Sequence, residues 1–199
     1  TWVELDALEE NGNLILNGAS VNPDSSFTYL NCFKKTGSVK FTAPEIVPAN
    51  AVAAVMLGTD NFLAYAENTD NFLKHWNLFR SAKKKRDGVG IDVQKVFFPL
   101  IDNEFGVFYA EPKISVTESK MAYVKMKDVE KAMEVLINLS GEAEENYREH
   151  LVFQLKREKL LPAALGRAFK SLNTPYFTQH GDYVIFANSK LLLKTSINN

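Results

Sequence analysis

Cysteine is almost absent from the chain. Cys32 is the single thiol in 199 residues, so no internal disulfide forms and no cysteine-based metal site can be built. A lone thiol reads first as a small apolar residue. As a nucleophile it would need a base beside it, and the three histidines, His75, His150 and His180, all lie far away in sequence. So little cysteine suits a reducing cytoplasm and a bacterial periplasm equally well.

An excess of either charge is also missing. The 23 Lys and Arg residues against 24 Asp and Glu leave a formal net charge of −1. Nothing at that balance draws the whole chain to phosphate, so nucleic acid is not an expected partner. No apolar run approaches the ~20 residues that span a bilayer, and no secretory leader pattern is present. The chain opens at Thr1 directly in a strand-like pattern, which reads as a processed or trimmed piece of something longer. The common enzyme signatures, Gly-x-Ser-x-Gly, His-Glu-x-x-His, a Walker loop and Cys-x-x-Cys, do not occur. Gly88-Val89-Gly90 lacks the third glycine of a dinucleotide loop, and Asp24-Ser25-Ser26 lacks the spacing of a calcium loop. No cofactor and no metal ligand is expected, and no catalytic residue is assigned.

The rest is ordinary for a globular chain, with 46% hydrophobic and 24% charged residues. At this length folding buries roughly 70% of the surface that the unfolded chain exposes. Trp2-Val3-Glu4-Leu5-Asp6 alternates as a half-buried strand does. Asn11-Gly12 predicts a turn and Leu14-Ile15-Leu16 a returning strand, so residues 1–21 read as a hairpin. Asn22 to Ser26 reads as a turn capping a short helix, Phe27 to Phe33. Ala51 to Leu57 is apolar without alternation, which predicts a strand covered on both faces. Thr59 or Asp60 then caps one long helix on which Phe62, Tyr65, Thr69, Phe72, Leu73, Trp76 and Phe79 recur at spacings of three and four.

A unit of helix, strand, strand and capped helix recurs. It runs first from Ile91 to Leu139 and again from Leu161 to Ile197. The second copy carries Tyr176-Phe177-Thr178, a turn at His180-Gly181-Asp182, Tyr183 to Phe186 and a cap at Asn188-Ser189. This predicts an α+β fold: antiparallel sheets with helices packed on one side and an internal α-β-β-α pseudo-repeat. Residues 1–199 read as one domain, with a division near residue 88 (1–88 and 89–199) as the alternative.

Few residues suggest chemistry. Glu104, Glu111 and Glu118 lie near one hairpin, and an enzyme with paired carboxylates would need two of them across a cleft. A turn histidine beside an aspartate, as in His180-Gly181-Asp182, can be a metal or proton-relay site, although turn geometry alone accounts for the glycine and aspartate. The aromatic stripe of the long helix could hold a flat ligand, yet helical spacing reads as core. Lys83-Lys84-Lys85-Arg86 is the only concentrated charge and reads as a helix end. With Tyr176 and Phe177 it forms the candidate contact surface.

Several stretches carry a resemblance. Trp2 to Asp6 with Leu14-Ile15-Leu16-Asn17-Gly18, Ile46-Val47-Pro48-Ala49-Asn50, Asp102 to Val107 and Asp182 to Ser189 together resemble envelope proteins of the Bacteroidetes type that carry a domain of unknown function (number 3352). The resemblance implies an extracytoplasmic domain, periplasmic or held by an N-terminal lipid or membrane anchor. It implies no catalytic or binding residues. The expected function is therefore non-enzymatic: protein–protein contact or scaffolding, with another envelope protein or the rest of its own chain as partner. The alternatives are a module that binds a small ligand or glycan, and an enzyme using distant carboxylates such as Glu104 with Glu111.

Overall fold

The computed structural model describes residues 2–10, 13–21, 23, 27–110 and 119–198. β1 (Trp2–Glu10) and β2 (Asn13–Val21) form a separate antiparallel hairpin, in register from Trp2 opposite Val21 to Glu10 opposite Asn13. The expected turn at Asn11-Gly12 lies outside the described residues, as do Asp24 to Ser26.

The body is a seven-stranded antiparallel sheet. Its strands are β3 (Ala51–Gly58), β4 (Ile101–Ala110), β5 (Lys120–Met126), β6 (Glu145–Tyr147), β7 (His150–Gln154), β8 (Tyr176–His180) and β9 (Tyr183–Ala187), in the spatial order β3-β4-β5-β9-β8-β7-β6. The α+β reading holds. β3 precedes residue 88 and pairs with β4 beyond it, so the sheet spans the division considered there.

Side-chain alternation sorts the strands onto two faces. On one face Phe105, Val107, Ala122, Val124, Phe177, Val184 and Phe186 are buried. Against them pack Phe62 and Tyr65 of α1 (Phe62–His75), Val93 of α3 (Val93–Val96), Met133 and Leu136 of α4 (Val129–Asn138) and Leu161 and Leu165 of α5 (Leu160–Leu165). Aromatic edges meet faces there: the Phe62 and Phe105 rings lie 5.4 Å apart at 84°. On the other face Phe108, Met121, Tyr123, Tyr183 and Ile185 are covered by Ala43 and Ile46, from the stretch before β3, and by Leu193 of α6 (Lys190–Ile197).

α4 and α6 close the two copies of the recurring unit, and they lie against opposite faces of the sheet. The order of elements recurs along the chain; a spatial repeat does not follow from it.

Three local expectations are corrected. The long helix is two: α1 ends at His75, Asn77 turns the chain with φ 56°, and α2 (Phe79–Asp87) begins anew. Asn61, rather than Thr59 or Asp60, caps α1 by accepting the Ala64 N–H at 3.1 Å. Asp60 instead accepts the Gly37 N–H at 2.7 Å. β3 is apolar throughout but is not covered on both faces. Among the described residues it is a free edge of the sheet, with Val52 64%, Val55 48% and Met56 38% exposed.

Candidate functional site

The structure separates the residues of the predicted contact surface. Adjacent strand residues point to opposite faces, so Tyr176 is half-buried on one side of β8 while Phe177 is fully buried on the other. The Phe177 ring stacks on Phe153 at 5.5 Å and touches Phe186 at 5.8 Å. Phe177 is therefore core and not a contact residue. In the basic run, which lies on α2 itself, Lys83 pairs with Asp87 at 3.0 Å, and Lys84 and Lys85 are exposed. Arg86 turns inward, 8% exposed. It donates to both oxygens of Asp70, at 2.8 and 3.3 Å, and Gln94 adds a third hydrogen bond to that carboxylate. Arg86 is a buried strut between α1 and α2, and so leaves the surface reading as well.

Glu111 and Glu118 lie outside the described residues. Glu104 is fully buried and belongs to a polar row that crosses the second face of the sheet from strand to strand. Gly58 of β3 opposes Glu104 of β4, Lys125 of β5 lies beside Glu104, Lys125 opposes Tyr183 of β9, and Tyr183 opposes His180 of β8. His150 of β7 stacks on His180.

The centre of the row holds down the chain before β3. Glu104 accepts the Thr42 N–H at 2.9 Å, the Ala43 N–H at 2.8 Å and the Thr42 hydroxyl at 2.9 Å, and Lys125 Nζ approaches to 3.4 Å. Thr42 Oγ1 also lies 2.6 Å from Tyr183 Oη. Burial pushes the Glu104 carboxyl up, but the Ala43 and Thr42 N–H bonds, the hydroxyl and Lys125 outweigh it and hold the group below its ordinary range. Burial, assisted by the Glu104 charge, pushes Tyr183 up to about 12. The same two effects raise Tyr123, whose buried hydroxyl has no partner. An ionised carboxylate this enclosed, with its oxygens already bonded, has no open face toward a substrate. The arrangement anchors; it does not offer an acid and a base to a cleft.

The aromatic stripe is packed at its start, where Phe62 and Tyr65 are buried against Phe98 and Phe105, while Trp76 beyond the end of α1 is exposed. A depression of ≈ 540 Å³ is lined by Asp102, Lys127, Asp128, Glu130 and Asp182, yet Asp128 is occupied in capping α4 through the Lys131 N–H. Among the described residues no three His, Cys, Asp or Glu side chains come together as a metal group.

What sequence reasoning missed is the edge. β3 carries eight residues, Ala-Val-Ala-Ala-Val-Met-Leu-Gly, without a charge or a proline. The separate hairpin also exposes Val3 and Leu5, two apolar residues of one face. The signal was the same uninterrupted apolar run that suggested a doubly covered strand.

No protein-family model, no curated protein and no solved structure matches this chain. Among the described residues no helix is long and apolar enough to cross a membrane.

Proposed function

We propose that this chain is a non-enzymatic contact domain of a bacterial envelope protein, held outside the cytoplasm, and that it joins its partner by accepting an extended apolar strand along β3. The observation that carries the reading is the edge at β3, where Val52, Val55 and Met56 stand exposed and no strand among the described residues pairs outside it. Edge strands left bare pair with other chains, and natural proteins block such pairing with lysine, proline or a covering element unless the pairing is wanted. An uncharged edge selects an uncharged strand. The extracytoplasmic location rests on the resemblance in the sequence. The enzymatic reading loses support because Glu104 is consumed in anchoring Thr42 and Ala43. The pocket reading loses it because Phe62 and Tyr65, which would line the pocket, are core.

The experiment is site-specific photo-cross-linking in the native cell. A photoreactive residue at Val55 should give one discrete protein adduct. The same residue at Leu191, an exposed position on α6, should give none. Equal adducts at both positions, or none at Val55, would remove the edge reading. Protease accessibility in intact and permeabilised cells tests the location separately.

A further inference from the structure

The two histidines at the end of the polar row have no part in anchoring the chain before β3. β7 and β8 pair with Phe153 opposite Phe177 and Gln154 opposite Tyr176. Carried along the same ladder, that register brings His150 opposite His180. The rings agree with it, with centroids 5.7 Å apart and planes within 15°. Directly opposed residues of an antiparallel pair have β-carbons about 4.5–5.5 Å apart. One ion can be reached from both at that spacing.

The hydrogen bonding suits ligation. His150 Nδ1 lies 2.9 Å from Gln179 O. A carbonyl oxygen only accepts, so Nδ1 carries the hydrogen and Nε2 of the neutral ring keeps its lone pair. Metal-binding imidazoles characteristically have one N–H tied to a carbonyl or carboxylate and the other nitrogen bare. His180 Nδ1 is buried with no hydrogen-bond partner. That unpartnered nitrogen is a buried polar atom that ligation would satisfy.

We propose that His150 and His180 form a two-histidine site for a late first-row divalent cation, Co²⁺, Ni²⁺, Cu²⁺ or Zn²⁺, which ligates Nε2 of His150 and a ring nitrogen of His180. Tetrahedral ligation at about 2.0–2.1 Å brings two nitrogens to about 3.3 Å from each other. Rotation of the His180 ring about its broad χ2 torsion supplies that convergence, while the bond from His150 Nδ1 to Gln179 O keeps the His150 ring in place. No third His, Cys, Asp or Glu joins the pair among the described residues, so water completes the coordination and the site is open and exchangeable. Two imidazoles select these ions against Mg²⁺ and Ca²⁺, which require oxygen ligands. The bound ion staples β7 to β8 beside the Gly181-Asp182 turn. The site stands independently of the contact reading.

The test is isothermal titration and thermal unfolding of the whole chain, without a polyhistidine tag, against Cu²⁺, Ni²⁺, Zn²⁺ and Mg²⁺. Binding of one equivalent is expected, tightest for Cu²⁺ in keeping with the Irving–Williams order, with Tm raised by several degrees at saturation. His150→Gln and His180→Gln should each weaken binding at least tenfold. His75→Gln, remote on α1, should leave it unchanged. A paramagnetic readout on the unsubstituted protein keeps the proposal falsifiable if a variant folds poorly: Cu²⁺ should broaden the ring resonances of His150 and His180 before those of His75. No binding, binding retained in both site variants, or broadening of His75 first would each overturn the proposal.

Discussion

The two edges of the seven-stranded sheet are built on opposite principles. The β6 edge is three residues long, and the segment that carries it is tied to α6: Lys194 bonds Glu145 at 2.5 Å, Lys190 bonds Glu144 at 3.2 Å, and Lys194 lies over the Tyr147 ring. Short length, charge and a covering helix are the devices that keep an edge from recruiting another chain. The β3 edge is eight residues long and uncharged, with its middle exposed. Among the described residues one edge is thus guarded and the other left open. The contrast supports the proposal that the open edge is a joint, because the means of closing it are used a sheet's width away.

Changes across the molecule sharpen this contrast, beginning with the largest. Glu104→Ala removes the group that holds Thr42 and Ala43, whose chain also brings Val39 and Phe41 against Gly58 at the end of β3. Loss of about 3–5 kcal/mol is expected in urea unfolding, since Lys125 is left without its carboxylate. A cost under about 1 kcal/mol would mean that the open edge sits on a loosely held strand. Leu193→Ala, at the buried contact of α6 with the sheet, should cost about 2–4 kcal/mol through the cavity it leaves. It should also loosen the guarded edge first in hydrogen exchange.

Acid should act on the polar row. His180 is held below its ordinary pKa, so the folded chain takes up fewer protons than the unfolded one near pH 6.5. Stability therefore falls as pH drops below about 6.5. Glu104 is likewise held low. Its contribution is present above the ordinary carboxylate pKa, about 4.3, and is lost as pH falls through its lower folded value. His180→Gln should flatten the first decline and Glu104→Gln the second. Unchanged pH profiles would refute both assignments.

Smaller effects belong to the edges themselves. Lys194→Ala should cost about 0.2–1 kcal/mol, as a partly exposed ion pair does. Val55→Lys should change stability by less than about 0.5 kcal/mol while abolishing the Val55-dependent contact. A large loss of stability in Val55→Lys would mean that β3 packs more tightly than its exposure allows.

Local signals in the sequence were legible where neighbouring residues decide the structure. Asp128 caps α4 and Ser189 caps α6 as expected, and the turn at Gly181-Asp182 joins β8 to β9 as expected. Where distant chain decides, the sequence was silent. A run such as Ala51 to Leu57 is equally compatible with a doubly covered strand and with a joining edge, because the neighbour that distinguishes them lies elsewhere. The break of α1 at Asn77 overrides an unbroken aromatic period. Phe177 and Arg86 were legible as an aromatic and a cation, but which way each points depends on strand register and on Asp70, sixteen residues before the arginine. The row from Glu104 to His150 draws on five strands, and only the hairpin step from His180 to Tyr183 is written locally.

The most direct measurement is amide hydrogen exchange along β3, on the isolated chain and on the native assembly recovered through a tag. In the isolated chain, the β3 amides that do not pair with β4 should exchange at nearly unprotected rates. In the assembly they should slow at least tenfold, while the amides of β6 change little. If the β3 amides exchange equally fast in both states, no strand joins there and the open edge is not the site of contact.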